Sequence, residues 1–141
     1  MFGYKYKIEQ TQTYLEQLFD IVPKSFEEYE KDFKTKNACE RLFQKIAEAV
    51  VDISFLFTRL KKYPFPDEED DIFDILANKR VISMELAKKL KGAKSMRNII
   101  VHEYGEVDDA KVFDAIKEEF EKDISKFIQF IDNNLNEENK I

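Results

Sequence analysis

The chain has 141 residues, 43% of them hydrophobic and 37% charged, with a net charge of −6; it fits one domain that buries roughly 68–70% of the surface its unfolded form exposes. A single cysteine excludes an internal disulfide framework. No apolar run approaches the roughly 18 residues of a membrane span, and the acidic balance argues against indiscriminate, salt-driven nucleic-acid binding.

Three glycines and three prolines leave little turn material and favour long helices. The first is expected over residues 4–21, where Ile8, Leu15, Leu18, Phe19 and Val22 recur at helical spacing and Pro23 closes it. Ser25-Phe26-Glu27-Glu28 has capping-box form and predicts a short connecting helix to about Lys34. Asn37 repeats the capping pattern and opens the second long helix, with Leu42, Ile46, Ala49, Ile53 and Leu60 on one stripe, flanked by Cys39, Phe43, Val50 and Phe57. Its polar residues are confined to a strip of Arg41, Lys45, Glu48, Asp52 and Arg59. Such a strip is either a solvated edge or a means of holding a functional arginine, for which Glu48 and Asp52 are the candidates. Cys39, in an apolar helical context, reads as a small buried structural residue.

Pro64-Phe65-Pro66 breaks the chain, and the acid run Asp67 to Asp71 then starts a helix through Ala77, where negative charge suits the helix dipole. Asn78 to Arg80 form a turn, and Ser83 caps a helix beginning at Met84. Along it Leu86, Leu90, Ala93, Arg97, Ile100 and Tyr104 follow spacings of four, three, four, three and four, which puts Arg97 in an apolar row. An arginine there must be paired, at an interface, or at the edge of a site. Gly92 costs this helix about 1 kcal/mol relative to Ala and is expected to allow a close approach or a bend; Gly105 is placed to end it. Asp108 caps the last helix, which keeps its beat through Phe113, Ile116, Phe120, Ile124, Phe127, Ile131 and Leu135, with the tail from about 136 fraying. The expected fold is an all-α bundle of four long helices plus one or two short ones, in a single domain.

The chemistry is gathered in Arg97-Asn98-Ile99-Ile100-Val101-His102-Glu103-Tyr104. Arg97 and Tyr104 share a helix face and Asn98 lies beside His102, but Arg97 and His102 sit about 140° apart. One straight helix does not aim both at a single atom, whereas a second copy facing the first would bring the two residue types together. From Lys79 to His102 there are seven basic residues against Glu85, so this segment carries +6 and the remainder −12. Beside Arg97 and His102 that reads as a polyanion footprint, with Lys91 and Lys94 as supporting contacts.

A lone histidine near an apolar stripe is commonly a packing residue, and with no second histidine neither a zinc site nor any other cofactor is expected. An arginine with a histidine suits a different reaction: a guanidinium clamps a phosphodiester and stabilises the charge of its transition state, while an imidazole moves a proton at neutral pH. That pair serves metal-independent RNA cleavage with the 2′-hydroxyl as nucleophile.

The R-x-x-x-x-H-x-Y string of Arg97, His102 and Tyr104, with Asn98 after the arginine, resembles the signature of HEPN-domain ribonucleases of the HepT type, the toxin halves of HepT–MntA toxin–antitoxin pairs. The resemblance extends through Glu48-Ala49, Asp52-Ile53, Pro66, Phe73-Asp74-Ile75-Leu76, Leu86-Ala87, Leu90-Lys91-Gly92 and Val101-His102-Glu103-Tyr104-Gly105 into Asp108, covering most of the chain from about Asn37. It implies a HEPN-like bundle and a homodimer whose motifs face a shared cleft. Arg97 and His102 would be its catalytic residues toward RNA, and a minimal nucleotidyltransferase antitoxin would silence it by transferring AMP to Tyr104. Asn98 would orient the imidazole or contact phosphate. A cytoplasmic protein with no membrane association is expected. The alternative is a noncatalytic helical partner of the nucleotidyltransferase, or a motif that serves only as a dimer contact.

Overall fold

The computed structural model describes residues 2–102 and 107–138, and among these it contains helices and turns but no strand. The helices are α1 (Phe2–Ile21), α2 (Phe26–Lys31), α3 (Phe33–Leu60), α4 (Ile72–Asn78), α5 (Met84–His102), α6 (Asp109–Ala115) and α7 (Glu121–Glu138). A 3-10 turn, Glu69–Asp71, precedes α4, and a π-helical turn, Ile116–Phe120, joins α6 to α7. Since α6 and α7 are one continuous rod, the bundle has four long rods and two short helices, as the sequence predicts.

Side-chain caps set where the helices begin. The Ser25 hydroxyl accepts from the Glu28 amide at 3.2 Å and the Ser83 hydroxyl from the Leu86 amide at 3.0 Å, both at the expected positions. Asp108 likewise accepts from the Ala110 and Lys111 amides. The start of α3 differs from expectation: it begins at Phe33 rather than at Asn37, and α2 ends at Lys31 rather than near Lys34. Asp32 is the reason, because its Oδ1 accepts from the amides of Lys34 (3.1 Å) and Thr35 (3.3 Å) while its Oδ2 accepts from the Thr35 hydroxyl (2.7 Å). Two helices end without glycine. Lys62 (φ 59°) and Arg80 (φ 60°) take the left-handed conformation after α3 and α4, and the amides of Tyr63 and Val81 reach back to the Thr58 and Leu76 carbonyls in Schellman closures.

Burial follows the helical beat. In α1, Ile8, Thr11, Leu15 and Leu18 face inward against α3, whose Phe43, Ile46, Val50, Ile53 and Phe57 line the centre of the core. The apolar residues predicted for the last rod, from Phe113 to Leu135, are all buried, and the Phe120 ring at the π-helical turn packs 4.6 Å from Phe43. The short α2 is anchored by Tyr29, whose buried ring lies 5.1 Å from Phe113. Cys39 is fully buried, and burial together with the neighbouring Glu40 pushes its thiol up to about 11. No helix among the described residues is long and apolar enough to cross a membrane. The expected fraying of the extreme C-terminus falls partly on residues 139–141, which lie outside the described residues. With α3 central and α5 lying along it, the polar strip of α3 is carried toward Arg97.

Candidate functional site around Arg97 and His102

Helix α5 has two unlike faces. Leu86, Ala87 and Leu90 anchor its buried side, while Lys88, Gly92, Ser95, Ile99 and His102, again at spacings of four, three, four and three, form its solvent row. Arg97 belongs to the inward side and His102 to the outer one, which is the angular separation that ideal helix geometry requires. His102 ends the helix, exposed. Tyr104 and Gly105 lie outside the described residues.

The Arg97 guanidinium is held on two sides. Its Nε and Nη2 donate to Glu48 Oε1 at 3.0 and 2.7 Å, and its Nη1 donates to Asn98 Oδ1 at 2.8 Å. A guanidinium has five N–H donors, so among the described residues three are engaged and two remain, one on each terminal nitrogen. Asn98 precedes His102 by one helical turn, so its bond draws the guanidinium tip toward the side of α5 that carries the imidazole. Asn98 thus orients the arginine, where the sequence suggested that it served the histidine or a phosphate.

Glu48 is braced in turn by Gln44, whose Nε2 donates to the same Oε1 at 3.1 Å. Burial pushes its carboxyl up, but the hydrogen bonds from Arg97 and Gln44 and the charges of Arg97 and Arg41 together hold it below its ordinary value. Of the two acids proposed to hold the arginine, only Glu48 does so. Asp52, one turn further along α3, is bonded to Lys7 of α1 at 3.1 Å instead. Glu48, Asp52, Glu69, Lys94 and Arg97 wall a polar cavity of about 220 Å³ between α3, α5 and the 3-10 turn.

The basic segment is arranged differently from the polyanion footprint expected of it. Lys91 Nζ lies 2.6 Å from Asp74, and Lys94 Nζ lies 2.5 Å from Asp70 and 3.8 Å from Glu69. Lys89 pairs with Glu119, with Asp123 and Glu85 each 3.7 Å away, and Lys79 sits over the Tyr63 ring. Most of these cations therefore face carboxylates of their own chain. The acid run before α4 makes no side-chain cap at either helix start and instead fastens the 3-10 turn to α5. Exposed pairs of this kind are worth about 0–1 kcal/mol, so phosphate can compete for them; Lys94, nearly buried, is the most firmly held. Gly92 gives no close approach, since a Cβ there would meet nothing within 4 Å.

Sequence reasoning missed Gln44 and Lys7. Gln44 had a readable signal in its four-residue spacing from Glu48, whereas Lys7 had none, its partner being on another helix.

Comparison with known proteins adds lineage to this geometry. The family described as Ribonuclease HepT-like matches residues 11–131. The mRNA nuclease HepT of Shewanella oneidensis is 29% identical over 105 residues, 74% of this chain and 76% of that one. The tRNA nuclease HepT of Aphanizomenon flos-aquae is 30% identical over 110 residues, 78% of this chain and 75% of that one. Among solved structures, the tri-AMPylated Shewanella oneidensis HEPN toxin in complex with its MNT antitoxin superposes with a TM-score of 0.84 at 24% identity, over 92% of this chain and 96% of that one. At that identity the likeness shows a shared HEPN fold.

Proposed function

The chain belongs to the HepT-like ribonuclease family, and from that membership and the setting of Arg97 we propose that it is a metal-independent ribonuclease toxin acting as a homodimer. The observation that carries this reading is the guanidinium fixed by Glu48 and Asn98 with two N–H groups that bond to nothing among the described residues. Those two groups clamp the scissile phosphodiester and meet the charge that builds on it in the transition state. The 2′-hydroxyl of the RNA attacks the adjacent phosphorus, the bond from phosphorus to the 5′-oxygen breaks, and His102 transfers the proton between the reacting oxygens. The products are a 2′,3′-cyclic phosphate and a 5′-hydroxyl.

Glu48 and Asn98 position the arginine. Lys91 exchanges its carboxylate partner for an RNA phosphate at the rim, while Lys94, held by Asp70, and Asp52 support the cavity wall. The homodimer supplies what one helix lacks: His102 and exposed Ile99 share the solvent row of α5, and a two-fold partner seated there brings the imidazole of one subunit to the guanidinium of the other.

Regulation follows the relative in complex with MNT antitoxin. A minimal nucleotidyltransferase antitoxin transfers AMP from ATP to the Tyr104 hydroxyl; the new bond joins the phenolic oxygen to the α-phosphorus, and pyrophosphate and the phenolic proton leave. The added phosphodiester anion, seven residues from Arg97, engages the guanidinium and takes the place of RNA.

Incubating total RNA in EDTA with the wild type, Arg97→Ala and His102→Ala tests the reading. Cleavage by the wild type and its loss in both variants is the expected result. Identical RNA profiles for all three support the noncatalytic partner of the nucleotidyltransferase instead.

A further inference from the structure

Asp52, released from the arginine by the observed geometry, stands on the wall of the 220 Å³ cavity beside Arg97. The cavity has room for roughly seven waters at about 30 Å³ each, more than one phosphate group needs and below the size of a drug-sized ligand site. Its floor is apolar, formed by Ala47 and Val51 of α3, both nearly buried. Its walls carry the carboxylates of Glu48, Asp52 and Glu69 against the cations Lys94 and Arg97, a formal total of −1. Counting the ion-pair partners just outside the lining, Lys7 on Asp52 and Asp70 on Lys94, leaves that total at −1. An anion gains nothing from such a site. A flat, neutral ligand with N–H donors on one edge and acceptors on another does.

We propose that this cavity receives a nucleobase next to the scissile phosphate, that it favours guanine, and that Asp52 is the residue that reads it. The inference rests on the ribonuclease reading above. Guanine presents the adjacent N1–H and N2–H donors to the Asp52 carboxylate, of which Oδ2 is shared with Lys7, and turns its O6 and N7 acceptors toward the Lys94 ammonium. Uracil places carbonyl oxygens where guanine offers its amino group, and those oxygens meet a carboxylate. With Arg97 in the same wall, a base seated here leaves its own phosphate within reach of the guanidinium's free N–H groups, so base choice and cleavage position are set by one cavity.

The test uses the His102→Ala protein, which binds RNA without cutting it, and two five-nucleotide RNAs that differ only in a central guanine or uracil. Fluorescence anisotropy should give roughly tenfold tighter binding of the guanine RNA, in the range of a single base-edge contact, and the ratio should fall to about one in the added Asp52→Asn variant. The Asp52 side chain is 55% exposed, so the substitution spares the core; Glu69→Gln, elsewhere in the lining, should keep the preference for guanine. Equal affinities, no binding of either RNA, or a preference that survives Asp52→Asn overturns the proposal. A wild type that cleaves no RNA sinks the nuclease reading alone, since the affinity ratio needs no cleavage.

Discussion

Replacing Glu48 tests the geometry at its most specific point. Glu48 supplies one oxygen that accepts from both Nε and Nη2 of Arg97, so its loss removes two of the guanidinium's three anchors and leaves only Asn98. The two side chains are 37% and 26% exposed, between the surface pairs worth about 0–1 kcal/mol and the buried ones that cost about 3–5 kcal/mol to break. A coupling of about 1–2 kcal/mol is therefore expected, which at roughly 2–4 °C per kcal/mol for a domain near this size lowers the melting temperature by about 2–8 °C. Activity should suffer more than stability, because a guanidinium displaced by about 1 Å loses on the order of 100-fold in turnover. Urea unfolding of the wild type, Glu48→Ala, Arg97→Gln and the double variant closes a thermodynamic cycle, and RNA cleavage by Glu48→Ala supplies the kinetic half. Effects that add to within about 0.3–0.5 kcal/mol would refute the pairing, and a Glu48→Ala enzyme with wild-type turnover would refute the positioning role.

Three further outcomes follow from single residues. Gly92→Ala should stabilise the chain by about 1 kcal/mol, because the added Cβ meets nothing within 4 Å and the helix gains propensity; a loss of stability in urea would show that the position is sterically required. Glu48 titrates below its ordinary 4.5 in the folded chain, so the unfolded state takes up the proton first. The stability it contributes is complete above about pH 4.5 and is lost as the pH falls through the folded value, and a carboxyl resonance of Glu48 that titrates above 4.5 contradicts the account. Cys39, buried and with its thiol raised to about 11, should resist alkylation at pH 8 in the native protein and react promptly in denaturant; equal rates in both would place it at the surface.

The fold was readable where periodicity and capping agree. The Ser83 cap and the four-three-four row of α5 placed Arg97 on an inward face from spacing alone, and the last rod kept its apolar beat through a π-helical turn that left no mark on the pattern. At the start of α3 the sequence pointed to Asn37, whereas Asp32 is the cap because Thr35 adds a third bond to its carboxylate. The ends of α3 and α4 were legible from Leu60, the Pro64 break and the turn from Asn78, but their left-handed closures at Lys62 and Arg80, where glycine is the usual marker, were not.

At the site, the identity of the arginine's holder was half legible. Glu48 and Asp52 lie one turn apart on the same strip, and what separates them is Lys7 of α1, a contact that exists only once the bundle has formed. The same holds for the basic segment. Its charge is plain in the sequence, but its carboxylate partners on the π-helical turn, α4 and the 3-10 turn are not, and they change the expected footprint into a set of internal ion pairs.

Subunit mixing tests the shared catalytic cleft most directly. Arg97→Ala and His102→Ala dimers, each inactive alone, are dissociated together and reassembled in equal amounts. If each site takes its arginine from one subunit and its histidine from the other, half of the dimers are mixed and each holds one intact site, so RNA cleavage should return to about a quarter of the wild-type level. A mixture as inactive as either parent, with mixed dimers shown to be present, would contradict the account.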